Sequence, residues 1–378
     1  MDITRLKLGI LFYFNSSWMG GVNYIINVVN ILNFLDDEDK PEITIFYSKD
    51  HIKNVVEINY PYLSLVEWQF PSILKGYLKS WISGKNAFVN DILSNYEFDG
   101  LYPLHDYPVR TISNTKMVAW YADLQHKYYP EFFTKLKILE RTSRIKFILK
   151  NSNDLVVSSK AVADDFDKFF RFKENLNIHI FHFASVIDNL TLVSIEELRI
   201  KYNLPSEYFM ISNQFYKHKN HKVLLDAIAI LNEKGVRINL VFTGKLPDKA
   251  DSQYIRDLYD VIISKHLNDQ IKFLGIISRN EQLVLMKHSQ AVLQPTLFEG
   301  WSTVIEDAIS LQVPVIASNL PVNVEQLGQN GVYFDPHDPS ELSSFLINYP
   351  QRNLEDVFYE EYPKRIKKSA EAFIKIFA

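Results

Sequence analysis

The sequence predicts an α/β protein with two doubly wound, Rossmann-like domains. The chain has 378 residues, which exceeds the usual size of a single hydrophobic core, so two domains are expected. Short runs of β-branched and aromatic residues alternate with longer segments of helical period, the pattern of a parallel sheet covered by helices on both faces. This alternation begins near Lys7 and begins again near Tyr208. We expect the two domains to face each other across a ligand-binding cleft.

The candidate strands divide into two series. In the first series they are residues 7–14, 42–48, 116–122 and 154–159, and in the second they are residues 208–214, 238–244, 271–277, 291–296, 314–318 and 331–336. A polar stretch near residues 188–205 separates the two series. Residues 360–378 place apolar side chains at helical spacing. We therefore predict an N-terminal domain over residues 1–190, a C-terminal domain over residues 205–355, and a helix within residues 356–378 that packs back on the first domain.

The composition excludes several classes of protein. Hydrophobic residues make up 47% of the chain and charged residues 23%, which is typical of a soluble globular protein. The formal net charge of -4 argues against a general nucleic-acid-binding protein. The absence of cysteine excludes disulfides, thiolate metal sites and a cysteine nucleophile. Without a signal-peptide pattern or an apolar run of about 18 residues, a cytoplasmic protein with no membrane span is expected.

The segment "PTLFEGWSTVIEDA" places three carboxylates around a polar turn: Glu299, Glu306 and Asp307. The turn follows a predicted strand and leads into a helix, and a helix N-terminus favours a bound anion such as a diphosphate. The candidate anion-binding residues of this turn are Gly300, Trp301, Ser302 and Thr303. Glu306 has two interpretations, because Thr303 to Glu306 also matches a capping box in which the glutamate bonds back to the helix start. We expect Glu306 to act as a helix cap or as a secondary contact to the ligand.

A basic loop follows the first strand of the second series. The segment "ISNQFYKHKNHK" carries Asn213 at the strand end, then Lys217 and Lys219 just before a helix. A lysine beside a helix start suits a pyrophosphate as a point charge. The alternative interpretation is a basic loop that is simply solvated.

Two further motifs fall in the first series. Gly20 and Gly21 follow the first strand and open a helix, where glycine lets the backbone approach a ligand closely or simply forms a tight turn. In "VAWYADLQHKYYPEFF", Asp123 and His126 follow the end of a strand. These polar groups are candidates for substrate positioning or catalysis.

The carboxylate segment, with "PVIAS" and "GVYFDPHDPSEL" after it, resembles the C-terminal domain signature of glycosyltransferase family 4, whose members are retaining enzymes of GT-B fold. The family commonly carries two glutamates separated by seven residues, and the position that matches the second one here is Asp307. The resemblance implies that Glu299 lies near the transferred sugar, that Asp307 binds the ribose of the donor and that Lys219 binds phosphate. Asn213 stands where the family often has an arginine. Ala122 stands where many members have a histidine.

The resemblance implies sugar transfer from a nucleotide sugar to a hydroxyl of a glycan acceptor, with retention, in the synthesis of bacterial lipopolysaccharide, O-antigen or capsule. Lys219, the helix start at Ser302 and the backbone of Gly20 and Gly21 would stabilise the leaving diphosphate. No Asp-x-Asp motif or histidine-rich cluster occurs, so neither a metal nor a cofactor is expected. A nucleotide-sugar epimerase of the same fold and a catalytically silent sugar-nucleotide-binding protein are the alternatives.

Two basic segments bear on the acceptor. Residues 71–88 and 135–150 interleave lysines with large apolar residues, a composition compatible with an anionic membrane surface or with ordinary amphipathic helices over the core. With the first interpretation, the acceptor is lipid-linked and the protein contacts the inner face of the membrane peripherally.

Overall fold

The computed structural model of the chain describes residues 4–14, 18–187, 193–247, 252–349 and 359–378. The chain forms two compact units. Unit 1 contains Met1–Val186 and Glu361–Ala378, and unit 2 contains Ile187–Glu360. Both units are built on parallel sheets, as the sequence predicts.

Unit 1 has a seven-stranded parallel sheet in the order β3-β2-β1-β4-β5-β6-β7. The strands are β1 (Lys7–Phe12), β2 (Glu42–Tyr47), β3 (Leu63–Glu67), β4 (Gly100–Leu104), β5 (Lys116–Trp120), β6 (Asp154–Val157) and β7 (Asn177–Ile180). The helices before the second unit are α1 (Met19–Ile31), α2 (Ile52–Val55), α3 (Ile73–Ser83), α4 (Asn90–Asn95), α5 (Gln125–Tyr128), α6 (Lys135–Asn151) and α7 (Lys160–Phe169). The strand order reverses between β1 and β4, which is where ligands bind in sheets of this kind.

Unit 2 has a six-stranded parallel sheet in the order β10-β9-β8-β11-β12-β13. The strands are β8 (Phe209–Ser212), β9 (Leu240–Thr243), β10 (Ile271–Phe273), β11 (Val292–Gln294), β12 (Val315–Ser318) and β13 (Gly331–Phe334). The helices are α8 (Ile195–Tyr202), α9 (His221–Glu233), α10 (Gln253–Ser264), α11 (Arg279–Lys287), α12 (Thr303–Ser310), α13 (Pro321–Leu327) and α14 (Pro339–Asn348). Here the order reverses between β8 and β11.

Both faces of the second sheet are covered by helices. Phe209 and Ile211 of β8 belong to a core cluster that includes residues of α9, α10 and α14. Met210, between them in sequence, belongs to a second cluster that includes residues of α11 and α12. Because successive side chains of a strand point to opposite faces, a strand buried on both sides must be apolar at nearly every position. This requirement explains the unbroken apolar runs from which the strands were predicted.

The final helix, α15 (Tyr362–Lys375), packs on unit 1. Phe373 is fully buried, and its ring centroid lies 5.4 Å from that of Tyr102 and 5.4 Å from that of Phe181. Lys367 Nζ donates to the carboxylate of Asp36 at 2.7 Å. Among the described residues, none of the helices combines the length and the apolar composition needed to cross a membrane.

Three strands of unit 1 do not appear among the predicted ones. β3 lies at one edge and is largely exposed, and β7 lies at the other edge with only two half-buried residues, so neither has an apolar run. β4, "GLYPL", is fully buried, but its glycine and proline are residues that usually count against a strand. The predicted strands that do form are mostly one to four residues shorter than expected, because their last residues leave the sheet as loops. Those loops carry the candidate site residues.

Candidate functional site

The candidate donor residues of unit 2 meet where its strand order reverses. Asn213 directly follows β8, and Glu299 lies five residues beyond the end of the neighbouring strand β11. The carboxyl ends of adjacent parallel strands lie at one edge of the sheet, so residues that are distant in sequence come together there.

Gln294, the last residue of β11, connects these groups. Its side-chain oxygen accepts a hydrogen bond from Asn213 Nδ2 at 2.9 Å. Its Nε2 donates to Glu299 Oε1 at 3.0 Å and to the hydroxyl of Ser302 at 3.0 Å. Gln294 is fully buried, and its hydrogen bonds fix the Glu299 carboxylate at the sheet edge. Gln294 was not predicted, since it lies inside an apolar strand and outside the loops whose polar residues were considered.

Lys219 forms an ion pair with Glu299. The side chains are 16% and 13% exposed, so the pair is largely shielded but still reaches solvent. Lys219 ends a short 3-10 turn, Lys217–Lys219, and Asn220 follows it in the left-handed conformation with φ 54°. The backbone N–H of Leu297 donates to the carbonyl of His218 at 2.7 Å, which ties this turn to the carboxylate loop. The structure therefore brings Lys219 and Glu299 together, while Lys217 lies on the exposed side of the turn.

The start of α12 differs from the predicted capping box. Ser302 is the N-cap, and its hydroxyl accepts from the backbone N–H of Ile305 at 3.3 Å. Because the N-cap is Ser302 and not Thr303, the N3 residue is Ile305, and the predicted Thr303–Glu306 capping box does not form. Gly300 is buried and Trp301 is half-buried in the turn before the cap. Because α12 begins immediately after this turn, its free N–H groups and positive dipole end lie beside Glu299.

Both carboxylates inside α12 are buried and have basic or amide partners. Glu306 is 2% exposed, and its Oε1 accepts from Gln326 Nε2 at 2.8 Å. Asp307 is 1% exposed, and Arg279 at the start of α11 binds both of its carboxylate oxygens. The Arg279 side chain is 41% exposed and that of Asp307 is 2% exposed, so Arg279 is the solvent-facing partner of this pair. No sequence motif indicated Arg279 or Gln326.

In unit 1, Gly20 and Gly21 form the first turn of α1. A Cβ atom on Gly21 would lie 2.5 Å from the ring of Trp18, so glycine is required there by close packing. The Trp18 ring in turn stacks on Trp120 with a centroid distance of 5.6 Å. The rest of the loop in this motif, residues 15–17, lies outside the described residues.

Asp123 and His126 follow β5 as predicted. Asp123 Oδ1 accepts from Arg141 Nη2 at 3.2 Å and from the backbone N–H of Gln125 at 3.0 Å. His126 is 1% exposed, and neither of its ring nitrogens has a hydrogen-bond partner among the described residues. Burial lowers the pKa of His126 to about 4, and the charge of Arg141 adds to this effect. Their catalytic role stays a prediction.

His105 and Asp106 lie at the corresponding reversal point of the first sheet, directly after β4. Asp106 is 2% exposed and pairs with Arg144 at 2.8 Å, while its Oδ2 is buried without a partner. Burial raises the pKa of Asp106, although Arg144 opposes this shift. Together with Tyr13 and Phe70, the two residues line a small pocket inside unit 1. Neither residue was predicted, because β4 was not among the predicted strands and the loop after it was therefore not considered.

No group of three or more potential ligands among the described residues could hold a metal ion. Metal independence stays a prediction.

Comparison with known proteins gives one family model that matches most of the second unit and most of α15. Residues 194–372 match the family model described as glycosyl transferases group 1. The chain is 23% identical over 229 residues to the O-antigen chain mannosyltransferase RfbU of Salmonella typhimurium, covering 61% of this chain and 59% of the relative. It is 23% identical over 235 residues to the serotype-specific mannosyltransferase WbdA of Escherichia coli, covering 62% of this chain and 27% of WbdA. The chain thus spans less than two thirds of either relative.

The solved structures show the fold. The structure of Anabaena HepE in complex with UDP-glucose matches 99% of this chain and 97% of its own, with a TM-score of 0.65 and 16% sequence identity. The GT-B fold expected from the sequence is confirmed.

We predict that Arg279→Ala lowers the free energy of unfolding by about 1–3 kcal/mol, because it leaves the buried Asp307 carboxylate without its partner. Denaturant titration measures this change. The double variant Arg279→Ala/Asp307→Asn should be more stable than Arg279→Ala alone, since no buried charge then needs compensation. An equal loss in both variants would contradict this account of the pair.

We also predict that stability falls as pH decreases from about 6.5 to 4, in part through His126. The unfolded chain binds a proton to this histidine below its ordinary pKa of about 6.5, whereas the folded chain does so only near 4. The stability that comes from keeping His126 neutral is therefore fully present above about pH 6.5 and is lost as the pH falls toward 4. His126→Phe should show a shallower pH dependence in denaturant titrations, with the exposed His337→Phe as the control. If the free energy of unfolding changes with pH equally in the wild type and in His126→Phe, His126 does not contribute to the pH dependence.

Proposed function

We propose that the chain transfers a sugar from a nucleotide-sugar donor to a hydroxyl of a glycan acceptor, because residues 194–372 match the glycosyl transferases group 1 model and the chain has a GT-B fold. The observation that carries the proposal is the Lys219–Glu299 pair, which lies beside the α12 N-terminus at the strand-order reversal of unit 2.

The leaving diphosphate is the anion that this site would stabilise. When the bond from the anomeric carbon to the diphosphate oxygen breaks, negative charge grows on that oxygen. Lys219 would exchange part of its interaction with Glu299 for the phosphate, and the N–H groups of the α12 start would add their dipole. The side-chain amide of Asn213 donates a hydrogen bond to Gln294. Its replacement of the family's arginine makes Lys219, with Lys217 nearby, the main source of positive charge on this turn.

Glu299 would orient the transferred sugar. Its Oε1 is held by both Gln294 and Lys219, and a carboxylate fixed in this way can accept hydrogen bonds from sugar hydroxyls. In the proposed reaction, the acceptor oxygen bonds to the anomeric carbon with retention of configuration. The acceptor proton passes to the departing phosphate.

Asp307 would act on the donor ribose together with Arg279. Since Arg279 holds both carboxylate oxygens and is the exposed partner, we propose that the two residues bind the ribose as a unit. Glu306 would support the turn from inside, through the Gln326 side chain that also donates to the Ser302 carbonyl at 2.9 Å.

The proposed acceptor is a lipid-linked glycan of a bacterial surface polysaccharide. The name of RfbU supports O-antigen assembly, and the names of RfbU and WbdA, both mannosyltransferases, support a hexose donor. The acceptor-side groups would come from unit 1, with Gly20, Gly21, Asp123 and His126 as the candidates. Such a reaction would take place in the cytoplasm at the inner face of the membrane, without metal or cofactor. The two mannosyltransferases and the UDP-glucose complex point to different donors, so the nucleotide is left to experiment.

A catalytically silent sugar-nucleotide-binding protein is the second candidate. Ala122 and Asn213 are the residues that favour it, because both replace polar or charged groups that the family commonly carries. A nucleotide-sugar epimerase would differ from both by converting the donor without any acceptor.

We predict that one nucleoside diphosphate among UDP, GDP, CDP, dTDP and ADP raises the melting temperature of the protein, and that a chelator does not abolish the shift. Ligand binding to the folded state stabilises it by mass action. Lys219→Ala should weaken the affinity for that nucleotide by about 10- to 100-fold, since a hydrogen bond to a charged group contributes roughly 1.5–3 kcal/mol. Lys222→Ala, on the exposed face of α9, is the control.

Incubation of the corresponding nucleotide sugar with the protein, followed by NMR, separates the candidates. Donor consumption that depends on an added glycan acceptor supports transfer. Conversion of the donor without acceptor identifies an epimerase. A thermal shift without any turnover identifies a silent binder, and the absence of any nucleotide shift would contradict the proposed donor site.

A further inference from the structure

Helix α3 turns four of its large apolar side chains toward solvent. Leu74, Leu78, Trp81 and Ile82, at helical spacing i, i+4, i+7 and i+8, are 72%, 48%, 53% and 87% exposed. The residues that α3 buries include Gly76 and Ser80, and Gly76 is so close to Phe88 that a Cβ would lie 2.3 Å from its ring. A helix that only covers a core buries its apolar stripe. α3 buries Tyr77 and packs Ile73 on the core, but it also leaves these four large apolar side chains at the surface.

Helix α6 extends the same surface. The Phe147 ring of α6 lies 5.6 Å from that of Tyr77 and 6.2 Å from that of Trp81, so the two helices are neighbours. α6 exposes two further leucines, Leu136 at 76% and Leu139 at 63%. Large exposed patches of this kind mark interaction sites. We call the exposed sides of α3 and α6 the basic apolar face.

The charges on this face are almost all positive. Residues 71–88 and 135–151 carry nine lysines and arginines against one acidic residue, although acidic residues outnumber basic ones in the whole chain, 45 to 41. Arg141 and Arg144 turn inward to Asp123 and Asp106. The exposed basic residues are Lys75, Lys79, Lys85, Lys135, Lys137, Lys146 and Lys150. Lys79 lies 4.0 Å from Asp91 and Lys137 pairs with Glu140 at 2.9 Å. The other lysines leave an excess of positive charge on the helices that carry the exposed leucines and tryptophan.

We propose that the basic apolar face docks on the surface of an anionic lipid bilayer. Leucine, isoleucine and tryptophan side chains would enter the boundary between headgroups and acyl chains, and the lysines would reach the anionic headgroups. An acidic protein would match the positive charge of this face, but it would not require exposed apolar side chains beside the lysines. A lipid surface requires both features. The inference concerns binding to lipid and does not depend on the proposed transfer reaction.

Docking would also place the enzyme beside a lipid-linked acceptor. Arg141 and Arg144 of α6 connect the basic apolar face directly to Asp123 and Asp106, the polar groups at two strand ends of the first sheet. This second consequence rests on the proposed function, whereas the docking itself does not.

Co-sedimentation of the purified full chain with vesicles tests the inference. We expect binding to phosphatidylcholine vesicles that contain phosphatidylglycerol, weaker binding to phosphatidylcholine alone, and loss of the difference at high salt. Lys75→Gln/Lys79→Gln should weaken binding to the anionic vesicles about 30-fold, since each lysine near such a surface contributes roughly a factor of five. Leu74→Ser/Ile82→Ser should weaken it at least about tenfold through lost apolar burial.

Matched variants of unit 2 are the controls. Lys222→Gln/Lys234→Gln removes two exposed lysines, and Ile200→Ser/Ile276→Ser removes two exposed isoleucines, so both should bind like the wild type. Brominated lipids should quench tryptophan fluorescence in the wild type and much less in Trp81→Phe. Absence of vesicle binding, or equal binding by the face variants and the controls, would overturn the inference. So would lipid-free dimerisation that the face variants abolish in analytical ultracentrifugation, because a second copy would then be the partner.

Discussion

The hydrogen bonds of Gln294 hold the candidate donor site together. A single buried amide accepts from Asn213 and donates to Glu299 and Ser302, so it joins the ends of two strands and the start of a helix. Buried amide groups are costly unless they are satisfied, and satisfied networks fix geometry. The Lys219–Glu299 pair therefore lies at a defined place on the sheet edge. Each functional inference about unit 2 follows from this arrangement.

The buried carboxylates of α12 show the same constraint. Asp307 and Glu306 are next to each other in a helix that is packed on both sides, and each requires its own partner, Arg279 or Gln326. This compensation changes how the family pattern applies to the chain. Asp307, which matches the second family acid, is bound by Arg279. Asn213, which stands where the family often has an arginine, donates its side-chain N–H to Gln294. Positive charge at the candidate donor site is thus supplied by Lys219, with Lys217 nearby, and by Arg279.

Much of unit 2 was predictable from sequence, and less of unit 1. All six described strands of the second sheet lie within apolar runs that can be recognised, because the four inner strands are almost fully buried and the edge strands β10 and β13 are at least half-buried. In the first sheet, the exposed edge strands and the proline-containing β4 gave no such signal. Lys219 and Glu299 were found because charged residues in a loop after a strand are informative by themselves. Gln294 and Arg279 were missed, since their importance arises from contacts that only the folded chain makes, such as Arg279 with Asp307, 28 residues apart.

A crystal structure of the protein with the nucleoside diphosphate that binds it tests the central claim most directly. The account predicts that Lys219 Nζ lies within hydrogen-bond distance of a phosphate oxygen, and that this phosphate faces the first N–H groups of α12. A nucleotide bound elsewhere on the chain, with Lys219 still on Glu299 and no phosphate at the α12 start, would contradict it.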